Sequence, residues 1–268
     1  FIGTPKGQNY FYKLHKEAQE QKDWWTGVFK ASETNILDKE ELISAQEMMS
    51  EDLYDQEFEC SFQAAITGSY YGALIEDLQK NNRITSVPYD ENLEVETWWD
   101  LGLKDSTAIW FVQKYRDEFR IIDYEENSGE GLDFYADLLD SKPYKYDRHI
   151  APHDIKVREL GAFGKSRLES ALELGISFDI APKLSIEDGI EAVRKTLPKC
   201  YFDKEKTYQG VEALKAYQKK WDDKNQCFKN RPTHNYASHP ADAFRYGCTF
   251  IGGKMTDWKK EVYVNTNY

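Results

Sequence analysis

Apolar positions along the first 85 residues of this 268-residue chain recur mostly at helical spacing; from about Val95 they switch to strand runs. Tyr10, Phe11, Leu14 and Ala18 keep a helical period behind the turn Thr4-Pro5-Lys6-Gly7, where Pro and Gly punctuate the chain. Trp24 to Phe29 reads as a strand. Asp38-Lys39-Glu40-Glu41 has capping-box form and opens a helix through Met49. Phe58 and Phe62 keep helical spacing within Tyr54 to Ile66, and Tyr70 to Asn81 reads as another helix. None of these carries chemistry. Ser86-Val87-Pro88-Tyr89-Asp90 is the expected boundary, since Pro88 disfavours a continuous element.

Three strand runs then follow closely: Glu96 to Asp100, Thr107 to Tyr115 and Phe119 to Glu125. The turn Leu101 to Ser106 and the tight charged hairpin Arg116-Asp117-Glu118 make them an antiparallel meander. A helix over Gly131 to Ser141, a short strand over Arg148 to Pro152, a helix over Lys165 to Leu174 stopped by Gly175, and a strand over Ile176 to Ala181 come next. Ser185 caps a helix whose Ile186, Ile190, Val193 and Leu197 share a face. Thr207 to Asp222 reads as a helix, Asn225 to Thr233 as a loop. The last helix is expected to open at His239, with Pro240 in its first position and Asp242 in its first turn. The sum is an α/β fold: a mixed five-stranded sheet flanked by helices behind a mainly helical N-terminal flank, for which the ribonuclease H-like order is one of several α/β options the pattern allows.

Three acids stand in unusual places. Asp100 ends a strand directly after Trp98 and Trp99, and a carboxylate beside a core is costly unless something compensates it. Asp154 follows Ala151-Pro152-His153 at the end of the fourth strand, and Asp242 opens the last helix. The expected strand order sets Asp100 beside Asp154. Converging carboxylates repel unless cations intervene, and oxygen ligands favour Mg2+ or Mn2+. Two such ions could serve phosphodiester hydrolysis. Asp105 is either a fourth acid of this set or a cap for the turn through Ser106 and Thr107. His153 and His239 flank the acids and read as supporting or packing residues. Arg245 either pairs with a site acid or lies on the surface.

Composition adjusts this picture only a little. The net charge of −12 argues against tight nonspecific nucleic-acid binding by the chain as a whole, although net charge does not fix the local field. Basic residues near the acids, Lys104, Lys156, Arg158, Lys165 and Arg167, are candidates for DNA phosphate contacts, or are solvated charge. The Lys215, Lys219 and Lys220 stripe reads as a solvated face. The four Cys form no CxxC pair and the five His no HExxH, so a zinc site is not expected, and scattered Cys fit a reducing setting. No apolar run approaches the roughly 18 residues of a membrane span, and no signal-peptide pattern is present. A chain starting at Phe1 in mid-motif is expected to be a piece of a longer polypeptide.

Taken together, WWDLGLKDSTA, APHD and SHPADAFRYG, in this order and spacing, resemble the nuclease domain of phage terminase large subunits over about residues 95–250. The strand, TPKG turn and aromatic helix at the start are similar to the ATPase coupling segment of that family. The resemblance implies residues 1–85 as the end of an upstream ATPase domain plus linker, 86–253 as the nuclease domain and 254–268 as a flexible tail. No GxxxxGK[ST] is present, so this chain alone is not expected to hydrolyse ATP. It implies further that Asp100 bridges two metals, that Asp154 and Asp242 each complete one shell, and that Asp105 is auxiliary. A metal-activated water would then cut concatemeric double-stranded DNA in line. Implied partners are the ATPase domain of the same polypeptide, the portal protein and the small terminase subunit, in the host cytoplasm during virion assembly. Two other readings compete. One is a resolvase- or transposase-type nuclease, against which the TPKG start argues. The other is a non-catalytic motor or portal-docking module, against which the three acids argue.

Overall fold

The computed structural model describes residues 2–4, 10–34, 36–48, 54–55, 57–61, 68–102, 106–158, 165–222 and 227–264. They fall into two compact units, residues 1–73 with 215–233 and residues 74–214 with 234–268.

The first unit carries helices α1 (Tyr10–Glu20), α2 (Ala31–Thr34) and α3 (Lys39–Met48). The helical readings around Tyr10 and Lys39 hold. Trp24 to Phe29 is not a strand: its backbone finds no sheet partner among the described residues. His15 Nδ1 meets Thr26 Oγ1 within it at 2.8 Å, and just after it the Ala31 N–H donates to the Phe58 carbonyl at 2.7 Å. Pro5 to Gly7 of the TPKG turn lie outside the described residues.

Helix α4 (Gly72–Lys80) leads into the second unit and its seven-stranded sheet. The strands are β1 (Ile84–Thr85), β2 (Val95–Asp100), β3 (Ser106–Tyr115), β4 (Glu118–Ser128), β5 (Tyr146–Ala151), β6 (Phe178–Ile180) and β7 (Cys200–Asp203). Their order is β1-β7-β4-β3-β2-β5-β6. The β2-β3-β4 meander is antiparallel, and β5, β6, β7 and β1 join in parallel. The five expected strands therefore lie in ribonuclease H-like order. Two further short strands, β7 and β1, extend the sheet beyond β4. Helices α5 (Leu132–Ser141), α6 (Arg167–Glu173) and α7 (Ile186–Thr196) follow the expected spans.

Alternation along β2 sends Trp98 and Trp99 to opposite faces of the sheet. Both are fully buried. Trp99 packs edge-on to Tyr135 and Phe178. Trp98 packs edge-on to Phe244 of the last helix, α9 (Ser238–Val264). That helix lies close: a Cβ at Gly247 would collide with the Trp98 ring, so only glycine fits there. Trp110 of β3 fastens the helix start by donating its indole N–H to the Pro240 carbonyl at 2.9 Å. Asp100, two residues beyond Trp98, points to this same helix-covered face.

The expected helix over Thr207 to Asp222 is shorter. Helix α8 (Tyr208–Ala216) ends early, and β8 (Lys219–Asp222) turns back antiparallel onto β9 (Cys227–Pro232), where a loop was expected. The cause is an aromatic pair: Trp221 packs edge-on against Phe228 across the strands, with ring centroids 4.8 Å apart.

Candidate active site

Asp100 is the last residue of β2, paired in register with Ala108. Its side chain is only 16% exposed, and Oδ2 meets Nδ1 of His239 at 2.8 Å. His239 belongs to the first turn of α9, which the Trp98–Gly247 approach presses onto this face. His239, expected only to flank the acids, is the direct partner of Asp100.

Asp154 leaves the sheet differently. β5 ends at Ala151, Pro152 breaks the strand, and Asp154 lies in a 3-10 turn, His153–Lys156. The buried Ile155 anchors that turn, and Asp154 itself is exposed. Asp242 sits on α9, but not in its first turn as expected. The helix begins at Ser238, because Asn235 donates its N–H to Ser238 Oγ at 2.9 Å and its side-chain oxygen accepts from Ala237 at 3.0 Å. Pro240 is then the third helical residue, still within the turn whose N–H groups lack intrahelical acceptors. Asp242 falls beyond the strongest part of the helix dipole. Arg245 supports it instead, one turn on, donating Nη2 to Oδ1 at 2.8 Å. Arg245 is buried and crosses Gly189 of α7, where a Cβ would come within 2.5 Å of its chain.

The three acids share one electrostatic neighbourhood. Burial, above all, pushes the Asp100 carboxyl above the ordinary carboxylate range; Asp242 and Asp154 push it the same way, while the His239 contact pulls it back. Tyr246, one helical turn beyond Asp242, is raised by burial and by Asp242, Asp100 and Asp154, and Arg245, stacked on its ring, opposes this. Tyr246 belongs to this neighbourhood beside His239, and the sequence carries no separate sign of it. Its spacing, four residues after Asp242 on one helix, is the signal that finds it.

The basic candidates divide. Lys156 and Arg158 are exposed beside Asp154. Lys165 pairs with Glu173 at 2.6 Å. Arg167 donates Nη1 to the Leu101 carbonyl at 2.7 Å and so ties α6 to the segment that follows Asp100. A reciprocal box between Ser166 and Glu169 opens that helix, and Gly175 closes it with φ +85°. Asp105 and Lys104 lie outside the described residues.

The donor set suits a hard divalent cation: carboxylate oxygens gathered where like charges raise a buried acid. Among the described residues, no three His, Cys, Asp or Glu side chains already stand in ligating positions. Asp100 and Asp242 each lean on a protein donor, His239 and Arg245, which offsets part of their mutual repulsion.

No protein-family model matches the chain, and no curated protein matches it. Solved structures do. The chain is similar to the large terminase of a thermophilic bacteriophage in complex with ATP-gamma-S at TM-score 0.50 and 17% identity, over 94% of this chain and 62% of that one. The same terminase with ADP matches at 0.50 and 18%, over 92% and 60%. The nuclease domain of the P22 large terminase matches at 0.49 and 19%, over 63% of this chain and 87% of that one. The chain spans about three fifths of the length of the thermophilic phage's terminase. The fold is thus similar to that of part of a bacteriophage large terminase, and the sheet of the second unit is ribonuclease H-like.

Proposed function

We propose that the chain is the nuclease part of a viral DNA-packaging terminase, a divalent-metal-dependent endodeoxyribonuclease that cuts concatemeric double-stranded DNA. The carrying observation is Asp100: a mostly buried strand-end carboxylate whose charge is opposed by burial and by two further acids, Asp242 and Asp154. A mostly buried carboxylate with two further acids around it is the arrangement a cation site needs. Asp100, Asp154 and Asp242 would hold Mg2+ or Mn2+, as two ions bridged by Asp100, with Asp105 auxiliary. A cation bound there supplies Lewis-acid polarisation of a phosphodiester and lowers the pKa of water.

The chain's own residues do the positioning. Trp98 and Trp99, locked on opposite faces, fix the backbone of Asp100. His239 orients its Oδ2, and Arg245 orients Asp242. Lys156 and Arg158 face solvent beside Asp154, where they could steady phosphates without reading sequence. Alignment with the thermophilic phage's terminase over 94% of the chain takes in part of the flank before residue 86. That supports residues 1–85 as the end of an upstream ATPase domain with its linker, 86–253 as the nuclease domain and 254–268 as a tail. The ATPase domain, portal protein and small subunit would be its partners in the host cytoplasm during assembly.

Plasmid cleavage tests the reading. The chain should nick and linearise supercoiled DNA with Mg2+ or Mn2+, stop in EDTA, and lose activity in Asp100→Ala. Equal cutting by Asp100→Ala contradicts it.

A further inference from the structure

We propose that Arg167 is a positioning residue for the acids: together with Ser166 it makes the start of α6 a staple that sets the separation of Asp100 and Asp154. This role rests on the reading of those acids as ligands of a divalent cation.

The sheet by itself leaves that separation open. β2 and β5 run parallel, and their pairing goes from Val95 with Tyr146 to Trp98 with Ile150, short of both acids. On its other side Asp100 is still laddered to Ala108 of β3. Asp154 lies beyond Pro152, which has no N–H to continue a ladder. Its turn is closed locally, by the Val157 N–H donating to the Asp154 carbonyl at 2.9 Å. A cation site needs its ligands held to within about 0.5 Å, so the two strand ends require a further tie.

Two consecutive residues supply it. Ser166 forms an antiparallel bridge with Arg158, a short way beyond Asp154. Arg167 donates Nη1 at 2.7 Å to the carbonyl of Leu101, the residue directly after Asp100. The peptide gripped there is also held from its other side, because the Gly102 N–H of the same plane donates to Thr107 Oγ1 at 3.2 Å. The base of the staple is rigid. Ser166 is 5% exposed, and its N–H and hydroxyl both donate to Glu169 Oε2 at 2.8 Å. Ala171, within α6, is fully buried, and its carbonyl accepts from the Ile176 N–H at 2.9 Å. Just past β6, the Ala181 N–H returns to the Ala151 carbonyl of β5 at 2.9 Å. That base is therefore fixed to the Asp154 side, and the Arg167 side chain is the strut that carries it across to the Asp100 side. A planar guanidinium suits the task because it keeps direction as well as charge. Its bond to a main-chain carbonyl separates Arg167 from Lys156 and Arg158, which face solvent.

Calorimetric titration of the whole chain with Mn2+, without DNA, tests the staple. Arg167→Ala should bind the ion about tenfold to a hundredfold more weakly than wild type, the usual loss when a residue that orients a metal ligand is removed. Arg167→Lys, which can still donate to one carbonyl, should recover part of that loss. Thr107→Val, which releases the same peptide from its other side, should weaken binding too and takes over as the test if Arg167→Ala folds poorly. Lys195→Ala, the same charge change at an exposed position of α7, should bind like wild type. Duplex affinity in EDTA should be unchanged in Arg167→Ala, and raising Mn2+ should bring its cleavage rate back towards wild type with KM for DNA unaltered. A merely structural role would lower the melting temperature and leave the Mn2+ affinity of the folded chain intact. Wild-type Mn2+ affinity in Arg167→Ala, or an equal loss in Lys195→Ala, overturns the assignment. So does a loss confined to duplex affinity, which would make Arg167 a phosphate contact. These results leave the metal reading standing, whereas a wild-type chain that binds no Mn2+ defeats that reading and this role together.

Discussion

Asp100 and Asp123 are both acids placed inside the second unit, and what stands opposite each charge differs in kind. Asp123, 5% exposed, accepts from Lys142 Nζ at 2.8 Å, from the Tyr144 hydroxyl at 2.8 Å and from the Tyr124 N–H at 2.9 Å. Glu125 shares the same ammonium at 2.5 Å. That carboxylate is paid for within the fold, and its network fastens α5's end to β4. Asp100 has His239 beside it and two more acids around it. A buried acid ringed by donors is architecture; a buried acid ringed by acids calls for a cation from outside.

Substitutions can break this contrast. The largest expected effect is on cleavage. Asp100→Asn should lower the rate about a thousandfold or more, a loss of about 4 kcal/mol of transition-state stabilisation. Asp123→Asn should leave the rate per folded molecule nearly unchanged. Plasmid assays at matched folded concentration compare the two, and equal losses would erase the distinction.

Stability should respond in the opposite sense. Lys142→Met strips Asp123 of its ammonium and should cost about 3–5 kcal/mol in denaturant unfolding, the usual penalty for orphaning a buried charge. A cost near zero would mean that Asp123 does not depend on that pairing.

His149 offers a third kind of buried titratable group, one kept neutral. Burial pushes its imidazole down to about 4, and Thr97 Oγ1 lies 2.6 Å from Nδ1. The same hydroxyl accepts from Trp99 Nε1 at 2.6 Å and can pass its own proton on to the ring. Because the folded pKa is depressed, the unfolded chain binds the proton more readily between about pH 6.5 and 4. Stability should therefore fall as pH drops through that window, by about 3 kcal/mol in all. His149→Gln should flatten the profile in urea unfolding at a series of pH values; an identical slope would place the loss elsewhere.

The sequence made Asp100 legible because alternation is a strong code: Trp98 and Trp99 must go to opposite faces, and an acid next in line is out of place. The meander was legible for the same reason. Strand β7, Cys200–Asp203, was not, since four residues between Pro198 and a turn carry too little pattern to read. The hairpin was hidden because Val211, Leu214, Tyr217 and Trp221 keep a helical period, and the partner that breaks it, Phe228, lies beyond the turn. The Arg245–Asp242 pair is local, three residues apart on one helix, and could be foreseen. The His239–Asp100 contact spans 139 positions and is made only when α9 crosses β2. Helix α9 starts earlier than Pro240, with its look of a first helical residue, suggests, because the Asn235–Ser238 exchange sets the cap before it.

The central claim is that the acids around Asp100 bind a divalent cation, and thermal unfolding with added Mn2+ measures it most directly. A cation held by the native state alone stabilises it by about 2.7 kcal/mol at a hundredfold excess over its dissociation constant. Wild type should therefore melt several degrees higher with Mn2+ than in EDTA. Asp100→Asn, relieved of like-charge repulsion, should start on the order of 1 kcal/mol more stable than wild type in EDTA and gain little from the metal. A wild-type melting temperature indifferent to Mn2+, or an equal rise in Asp100→Asn, would contradict the account.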